Sequence, residues 1–445
     1  MITQPSLNTI AAIATPPGVG GVGIIRVSGP KAFSLAEQLT HKKAAANRVI
    51  VCQFKAADGQ VIDTGLLLGF KAPHSFTGED VVEIHGHGGP VVQDLLLKAV
   101  LDLGAVQARA GEFSERAFLN NKLDLTQAEA IADLINSSTE QAARGAIQSL
   151  SGAFSQKVTE LLEQLIALRA YTEAAIDFPD EEIDFLADSA LLNQLTALRA
   201  AIQACLDQAQ QGAVLAAGST LVLAGKPNAG KSSLLNALAG DEAAIVTPIA
   251  GTTRDIVKAT VDIDGLAVHI LDTAGLRDTE DEVERIGVAR AKEAIAKADQ
   301  VLFLVDSTDS DDLPPLQAPE KTTVVNTKQD LLKKEADSDA RSTRGLFISV
   351  KTGAGLEALK NTIKNNAGYG GDHETVFTAR RRHVTCLQQA LAAVDRGIEQ
   401  LTEFKAGELL AAELTLAQNA MNEITGAFTP DDLLGRIFGS FCIGK

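Results

Sequence analysis

The stretch TLVLAGKPNAGKSSLLNALAG, residues 220–240, constrains the fold more than any other part of the chain. A β-prone apolar run meets a glycine turn that opens directly into a helical pattern. Gly225, Gly230, Lys231 and Ser232 fill G-x-x-x-x-G-K-[ST]. Glycines at that spacing let backbone N–H groups approach phosphate oxygens. The lysine ammonium reaches the β- and γ-phosphates, and the serine hydroxyl can ligate Mg²⁺. From about residue 218 to 378 strands and helices continue to alternate. This predicts an α/β domain with a parallel or mixed sheet and helices on both faces.

Downstream motifs select the nucleotide. HILDTAG reads as a strand ending in Asp272, placed to hold Mg²⁺ through its water shell, with the Gly275 N–H available to a γ-phosphate. In VVNTKQD, Asp330 can accept hydrogen bonds from the N1 and N2 donors of guanine, a pair that adenine lacks. ISVKTG then places Ser349, Val350 and Lys351 where a base-contacting loop belongs. Three ordered motifs after a phosphate loop predict a GTPase. One position departs from the usual guanine motif Asn-Lys-x-Asp: Thr327 stands first, and Asn326 is out of register by one.

The usual catalytic groups are replaced. In Ras-like GTPases a glutamine after the D-x-x-G glycine orients water, and an arginine finger neutralises developing charge. Here that residue is Leu276, which cannot orient water. Glu280, Asp281, Glu282 and Glu284 follow on a probable helix start, where acids are also favoured simply by the helix dipole. TPIAGTTRDIV supplies Thr252 and Thr253 as a switch that senses the γ-phosphate through Mg²⁺. Arg254 fits an ordinary salt bridge with Asp255 better than a finger.

Around this insert the texture differs. Residues 1–118 are rich in Gly, Val and Ile, with strand-like runs and one helical pattern, PVVQDLLLKAVLDLGA, which predicts a compact α+β domain. Residues 119–213 carry long amphipathic helical patterns, and the same texture returns over 379–445. One helical domain interrupted by an α/β domain at 214–378 accounts for both halves. Gly18, Gly20 and Gly23 match the dinucleotide pattern G-x-G-x-x-G, but they run into the β-branched IIRV instead of a helix, so no pyrophosphate site is expected. His85 and His87 are two metal-capable groups, too few for a site, and EIHGHGG is expected to turn.

A 45% hydrophobic and 22% charged composition over 445 residues is that of a multidomain globular protein. The net charge of −17 argues against nonspecific coating of nucleic acid. The one dense basic run is Arg380, Arg381, Arg382 and His383. Cys52, Cys205, Cys386 and Cys442 are scattered, as expected in a reducing compartment without disulfides. No signal peptide and no apolar run long enough to span a membrane is expected. Cys442 near the end fits a prenylation box poorly, because Gly444 and Lys445 follow and no polybasic run precedes it.

GKPNAGKSSLLNALAG, IAGTTRD, DTAGLRDTEDEVERIG and FCIGK, with ATPPGVGGVGIIRVSGP, SFTGEDVVEIHGHGGP and GEFSERAFLNNKLDLTQAEAI, resemble the tRNA modification GTPase family (MnmE, also called TrmE) over essentially the whole chain. The resemblance implies a folate-binding, dimer-forming N-terminal domain, a discontinuous helical domain and an inserted Ras-like P-loop GTPase domain. It implies GTP contacts from Asn228, Ala229, Gly230, Lys231, Ser232, Ser233, Thr247, Thr252, Thr253, Asp272, Thr273, Ala274, Gly275, Thr327, Lys328, Asp330, Ser349, Val350 and Lys351. Mg²⁺ would be held by Ser232 and Thr253, and K⁺, in place of the arginine finger, by Asn228, Thr247, Ile249 and Thr252. Glu284 would orient the water.

The family's folate positions match Arg26, Glu83, Lys122 and Lys445, and a carboxylate such as Glu83 can bind the amino and ring N–H donors of a pterin. Cys442 would be an active-site thiol, acting covalently or as a proton relay. The implied activity is potassium-activated GTP hydrolysis. With an FAD-dependent partner (MnmG) in a heterotetramer, this would drive addition of a carboxymethylaminomethyl-type group to C5 of the wobble uridine of certain tRNAs. The carbon would come from a 5-formyl or 5,10-methylene tetrahydrofolate, in the cytoplasm. Two other readings remain: a ribosome-assembly switch that binds ribosomal RNA, and a folate-dependent transferase with a regulatory GTPase insert.

Overall fold

A computed structural model describes residues 8–177, 189–226, 228–239, 259–272, 295–308, 319–332, 345–370, 377–427 and 431–444. The chain divides into two compact units. One comprises Met1–Ala132, Val158–Glu181 and Ala406–Lys445, and the other Asp133–Lys157 and Glu182–Lys405.

The first unit is built on a six-stranded sheet of β1 (Ile10–Ile13), β2 (Gly20–Ser28), β3 (Val49–Lys55), β4 (Val61–Phe70), β5 (Val81–Gly88) and β6 (Val106–Gln107), in the order β3-β4-β5-β2-β1-β6. Only the β1–β6 pairing is parallel. Alternation decides which face is buried: in β3, Cys52 and Phe54 point inward while Val49 and Val51 stay exposed. Helices α1 (Ala32–Thr40) and α2 (Pro90–Asp102) cover the inner face. In α1, Ala32, Leu35, Ala36 and Leu39 fall at i, i+3, i+4 and i+7 and are buried. They meet Ile25, Val27, Phe54, Leu67 and Ile84, each worth about 1.5–3 kcal/mol when fully buried. The opposite face of the sheet is left for the polar groups described below.

Gly18 precedes β2, and Gly20 and Gly23 lie within it, so the glycines of the G-x-G-x-x-G pattern run into a strand and no helix. The turn expected in EIHGHGG is not there, since His85 and His87 both lie inside β5. Its glycines serve strand approach instead. A Cβ on Gly88 would lie 2.7 Å from the Gly20 carbonyl oxygen, and one on Gly86 2.7 Å from Asp63 Oδ2. Among the described residues no group of three or more metal-capable side chains occurs.

Helices α3 (Glu112–Leu119) and α4 (Leu125–Asn136) follow the sheet. Next come α5 (Glu140–Leu150), α6 (Ala153–Asp177) and α7 (Ser189–Ala217). The second sheet contains β7 (Ser219–Ala224), β8 (Ala259–Ile263), β9 (Leu266–Asp272), β10 (Gln300–Asp306), β11 (Thr322–Thr327) and β12 (Leu346–Phe347). The order is β12-β11-β10-β7-β9-β8, parallel except for the β8–β9 hairpin. Its central strands are apolar on both faces. Leu221, Leu223, Leu302 and Leu304 pack into one cluster, and Val222, Ala224 and Val301 into another, as a parallel sheet covered on both sides demands. Helix α8 (Lys231–Ala239) follows β7, and α9 (Leu356–Asn366) follows β12.

Within this unit the N-cap of α5 holds the β8–β9 turn: the Thr139 hydroxyl accepts the Ala142 N–H at 3.1 Å and donates to the Gly265 carbonyl at 2.8 Å. Helix α10 (Arg381–Phe404) packs along α7, with Arg199 and Asp395 paired at 2.5 Å. Two residues of the basic run at the start of α10 serve the structure. Arg380 pairs with Asp133 at 2.6 Å, and buried His383 accepts the Arg380 N–H and lies against the Phe154 ring. Helices α11 (Gly407–Thr425) and α12 (Asp431–Gly439) close the chain. Among the described residues no helix is long and apolar enough to cross a membrane.

Candidate functional site: a nucleotide pocket and an N-terminal carboxylate cluster

Strand β7 delivers the chain to the phosphate loop from the middle of the sheet. Gly225 sits at φ +135°, and a Cβ there would lie 2.4 Å from the Leu304 carbonyl oxygen, so the loop leaves β7 only because this residue is glycine. Asn228 adopts the left-handed conformation, φ 65°, which asparagine tolerates, and is exposed. Gly230 leads into α8, whose first residue, Lys231, folds over its own loop. Its Nζ donates to the carbonyls of Gly225 and Lys226, each at 2.7 Å. Ser232 and Ser233 stand exposed in the first turn of α8. This arrangement can receive phosphate: backbone donors, a helix N-terminus and a lysine ammonium converge on one loop.

The guanine motif meets that loop. Thr327 ends β11, is 2% exposed, and its hydroxyl lies 2.9 Å from the Ala229 carbonyl and 3.2 Å from that of Val305. Strand alternation turns Asn326 the other way, where its Nδ2 lies 3.4 Å from the Leu346 carbonyl. The off-register asparagine therefore does not substitute for the missing one; a threonine hydroxyl reaches the phosphate loop instead. Lys328, at φ 58°, extends to Asp306 at 2.5 Å. Partial burial opposes ionisation of Asp306, but hydrogen bonds from Lys328 and Thr308 outweigh it and hold its carboxyl below the usual range.

Asp330 is exposed and accepts the Ser349 hydroxyl at 2.7 Å. That bond, with the nearby charge of Lys351, holds its carboxyl below the ordinary value, ready to accept from neutral donors. Val350 and Lys351 continue the same loop, so the structure brings Thr327, Lys328, Asp330 and Ser349–Lys351 together with Ala229. Asp272 ends β9, beside β7. Thr247, Ile249, Thr252, Thr253, Arg254, Thr273, Ala274, Gly275, Leu276, the acidic residues 280–284 including Glu284, and Lys445 lie outside the described residues.

The N-terminal cluster stands on the face of the first sheet opposite α1 and α2, where Phe76 and Phe113 also pack. Arg26 on β2 and Glu83 on β5 are register partners. Arg26 Nε and Nη2 both approach Glu83 Oε1 at 3.0 Å. The guanidinium lies 5.2 Å from the Phe76 ring centroid and 5.8 Å from that of Phe113. Lys122 reaches the loop that carries Phe76, donating to the Pro73 carbonyl at 3.1 Å.

The C-terminal segment comes to the same neighbourhood. Cys442 is exposed, and its carbonyl accepts the N–H of Gly111, the N-cap of the helix that bears Phe113. Ile443 bridges to Ala110, and Gly444 lies against the Ile13 carbonyl at the end of β1. Phe76, Phe113 and His85 were not singled out as site residues from the sequence; strand alternation alone could have placed His85 beside Glu83.

Over residues 125–442 the chain matches the family model of the MnmE helical domain, and over residues 9–122 that of the GTP-binding protein TrmE N-terminus. It is 55% identical over 455 residues to the tRNA modification GTPase MnmE of Stutzerimonas stutzeri, covering 99% of this chain and 100% of that protein. To the protein of that name from Pseudomonas aeruginosa it is 56% identical over 458 residues, with 99% and 100% covered. To that from Vibrio parahaemolyticus it is 53% identical over 450 residues, with 98% and 99% covered. The chain belongs to the tRNA modification GTPase MnmE family.

Proposed function

We propose that this chain is a potassium-activated GTPase that acts on tRNA in the cytoplasm. As a homodimer, joined in a heterotetramer with the FAD-dependent subunit MnmG, it drives addition of a carboxymethylaminomethyl-type group to C5 of the wobble uridine. The carbon comes from a 5-formyl or 5,10-methylene tetrahydrofolate, and the FAD belongs to the partner. The observation that carries the reading is the joint between Thr327 and Ala229. It supports the reading because it ties the strand end that leads to Asp330 to the phosphate loop, in a chain 55% identical to a named tRNA modification GTPase.

Within that reading Asp330 selects guanine and Lys231 exchanges its two loop carbonyls for phosphate oxygens. Ser232, exposed at the start of α8, and Thr253 hold Mg²⁺. Asn228, whose left-handed backbone leaves its side chain exposed over the loop, holds K⁺ with Thr247, Ile249 and Thr252. Bound there, the monovalent ion would supply the positive charge of the missing arginine finger. Glu284 orients the attacking water. In the first unit Glu83 accepts the pterin's N–H donors, Arg26 holds that carboxylate in place, and Lys122, Lys445 and Cys442 border the same ligand.

The test is reconstitution. The purified chain, its FAD-dependent partner, GTP, K⁺, a tetrahydrofolate one-carbon donor and unmodified tRNA are combined, and the tRNA nucleosides are read by mass spectrometry. A mass increase on the wobble uridine that requires GTP and the folate supports the proposal. An unmodified uridine with active GTP hydrolysis would contradict it.

A further inference from the structure

His85 is used neither by the nucleotide pocket nor by the residues so far assigned to the N-terminal cluster, yet it touches the centre of that cluster. It lies two residues beyond Glu83 on β5, hence on the same face of the sheet. Its Nε2 is 3.2 Å from Glu83 Oε2, while Arg26 occupies Oε1. The carboxylate is therefore gripped at both oxygens, by a guanidinium on one side and an imidazole on the other. All three side chains are mostly buried, with Arg26, Glu83 and His85 22%, 17% and 21% exposed. A fixed donor counts for more there than in water.

The backbone under His85 is also pinned. It pairs with Leu66 of β4 and Ile24 of β2. Gly65 lets β4 close on it, because a Cβ at that position would lie 2.0 Å from the His85 carbonyl oxygen.

An ionised carboxylate offers about four lone-pair directions, two per oxygen. Arg26 approaches Oε1 with both Nε and Nη2, and His85 stands at Oε2, so Oε2 is the oxygen that keeps a lone pair for a ligand N–H donor. We propose that His85 is a positioning residue for the ligand-binding carboxylate of Glu83. Its Nε2–H holds Oε2 so that the lone pair left on that oxygen faces an N–H donor of a pterin. This rests on the reading of the cluster as a folate site.

The experiment is calorimetric titration of the full-length chain with 5-formyltetrahydrofolate, comparing wild type, His85→Leu and His85→Gln. His85→Leu removes the donor and is expected to weaken binding about tenfold, while His85→Gln, which keeps a donor at similar reach, stays within about threefold. Binding by His85→Leu equal to wild type, or equal losses in both variants, overturns the positioning role alone. Absence of binding by wild type overturns the folate reading and this role with it. If His85→Leu does not fold, the ¹⁵N spectrum of the histidines decides. Glu83→Gln must move the His85 Nε2 resonance, and an unmoved resonance overturns the proposal.

Discussion

Lys231 takes its two partners from carbonyls five and six residues back along its own loop, whereas Glu83 takes Arg26 from a strand 57 residues away. The nucleotide pocket begins as a backbone object: a strand end, a glycine that permits the exit, and a helix start. The N-terminal cluster is a side-chain object held by register between strands. A backbone object tolerates exchange of side chains, provided the new group can satisfy the same backbone atom. Thr327 shows this, since its hydroxyl meets the Ala229 carbonyl where an asparagine usually stands first in the motif. A side-chain object tolerates exchange only where the new group keeps the same donor or acceptor at the same reach, because Arg26 and His85 each depend on Glu83 as a partner.

The comparison breaks most severely at Gly225. Gly225→Ala drives a Cβ against the Leu304 carbonyl at φ +135°, and guanine nucleotide affinity should fall by more than about a hundredfold in a fluorescent GDP titration. Retained affinity would show that the loop does not depend on that backbone exit. On the other side, Glu83→Gln keeps shape but removes the charge that Arg26 and His85 grip. Folate affinity should fall roughly thirtyfold by calorimetry.

Thr327→Val sharpens the claim of exchangeability. It leaves the Ala229 carbonyl without its hydroxyl partner and should weaken GDP binding about tenfold, with Thr327→Ser close to wild type. The smallest effect concerns stability. Thr139→Val removes the α5 cap and the hold on the Gly265 carbonyl, and should cost about 1–2 kcal/mol in chemical denaturation.

The same contrast explains what the sequence made legible. The phosphate loop, the strand before it and the helix after it lie in one short segment, so local spacing carries them. The helical period of α2 was equally local, whereas α1 went unread: one helical pattern stands out in residues 1–118, and the nine-residue Ala32–Thr40 helix adds a second. His85 was not legible as a site residue. Gly86 and Gly88 suggested a turn, but they are glycines because neighbouring strands and Asp63 come too close for a Cβ. Phe76 and Phe113 reach Arg26 from a loop and a helix far from it in sequence, and no local pattern announces that. Arg26 and Glu83 themselves came from family resemblance, because a charge on a strand face looks the same whether or not it binds a ligand. The basic run at 380–383 was legible as charge but not as structure, since its partners Asp133 and Phe154 lie in other helices.

The central claim is that a bound monovalent cation takes the place of an arginine finger in this chain. Steady-state GTP hydrolysis by the full-length protein, in K⁺ and in Na⁺ at matched ionic strength, with Asn228→Ala alongside, tests it most directly. The account predicts stimulation by K⁺ of at least about tenfold that disappears in Asn228→Ala. Equal slow rates in both salts, or stimulation that survives the substitution, would contradict it.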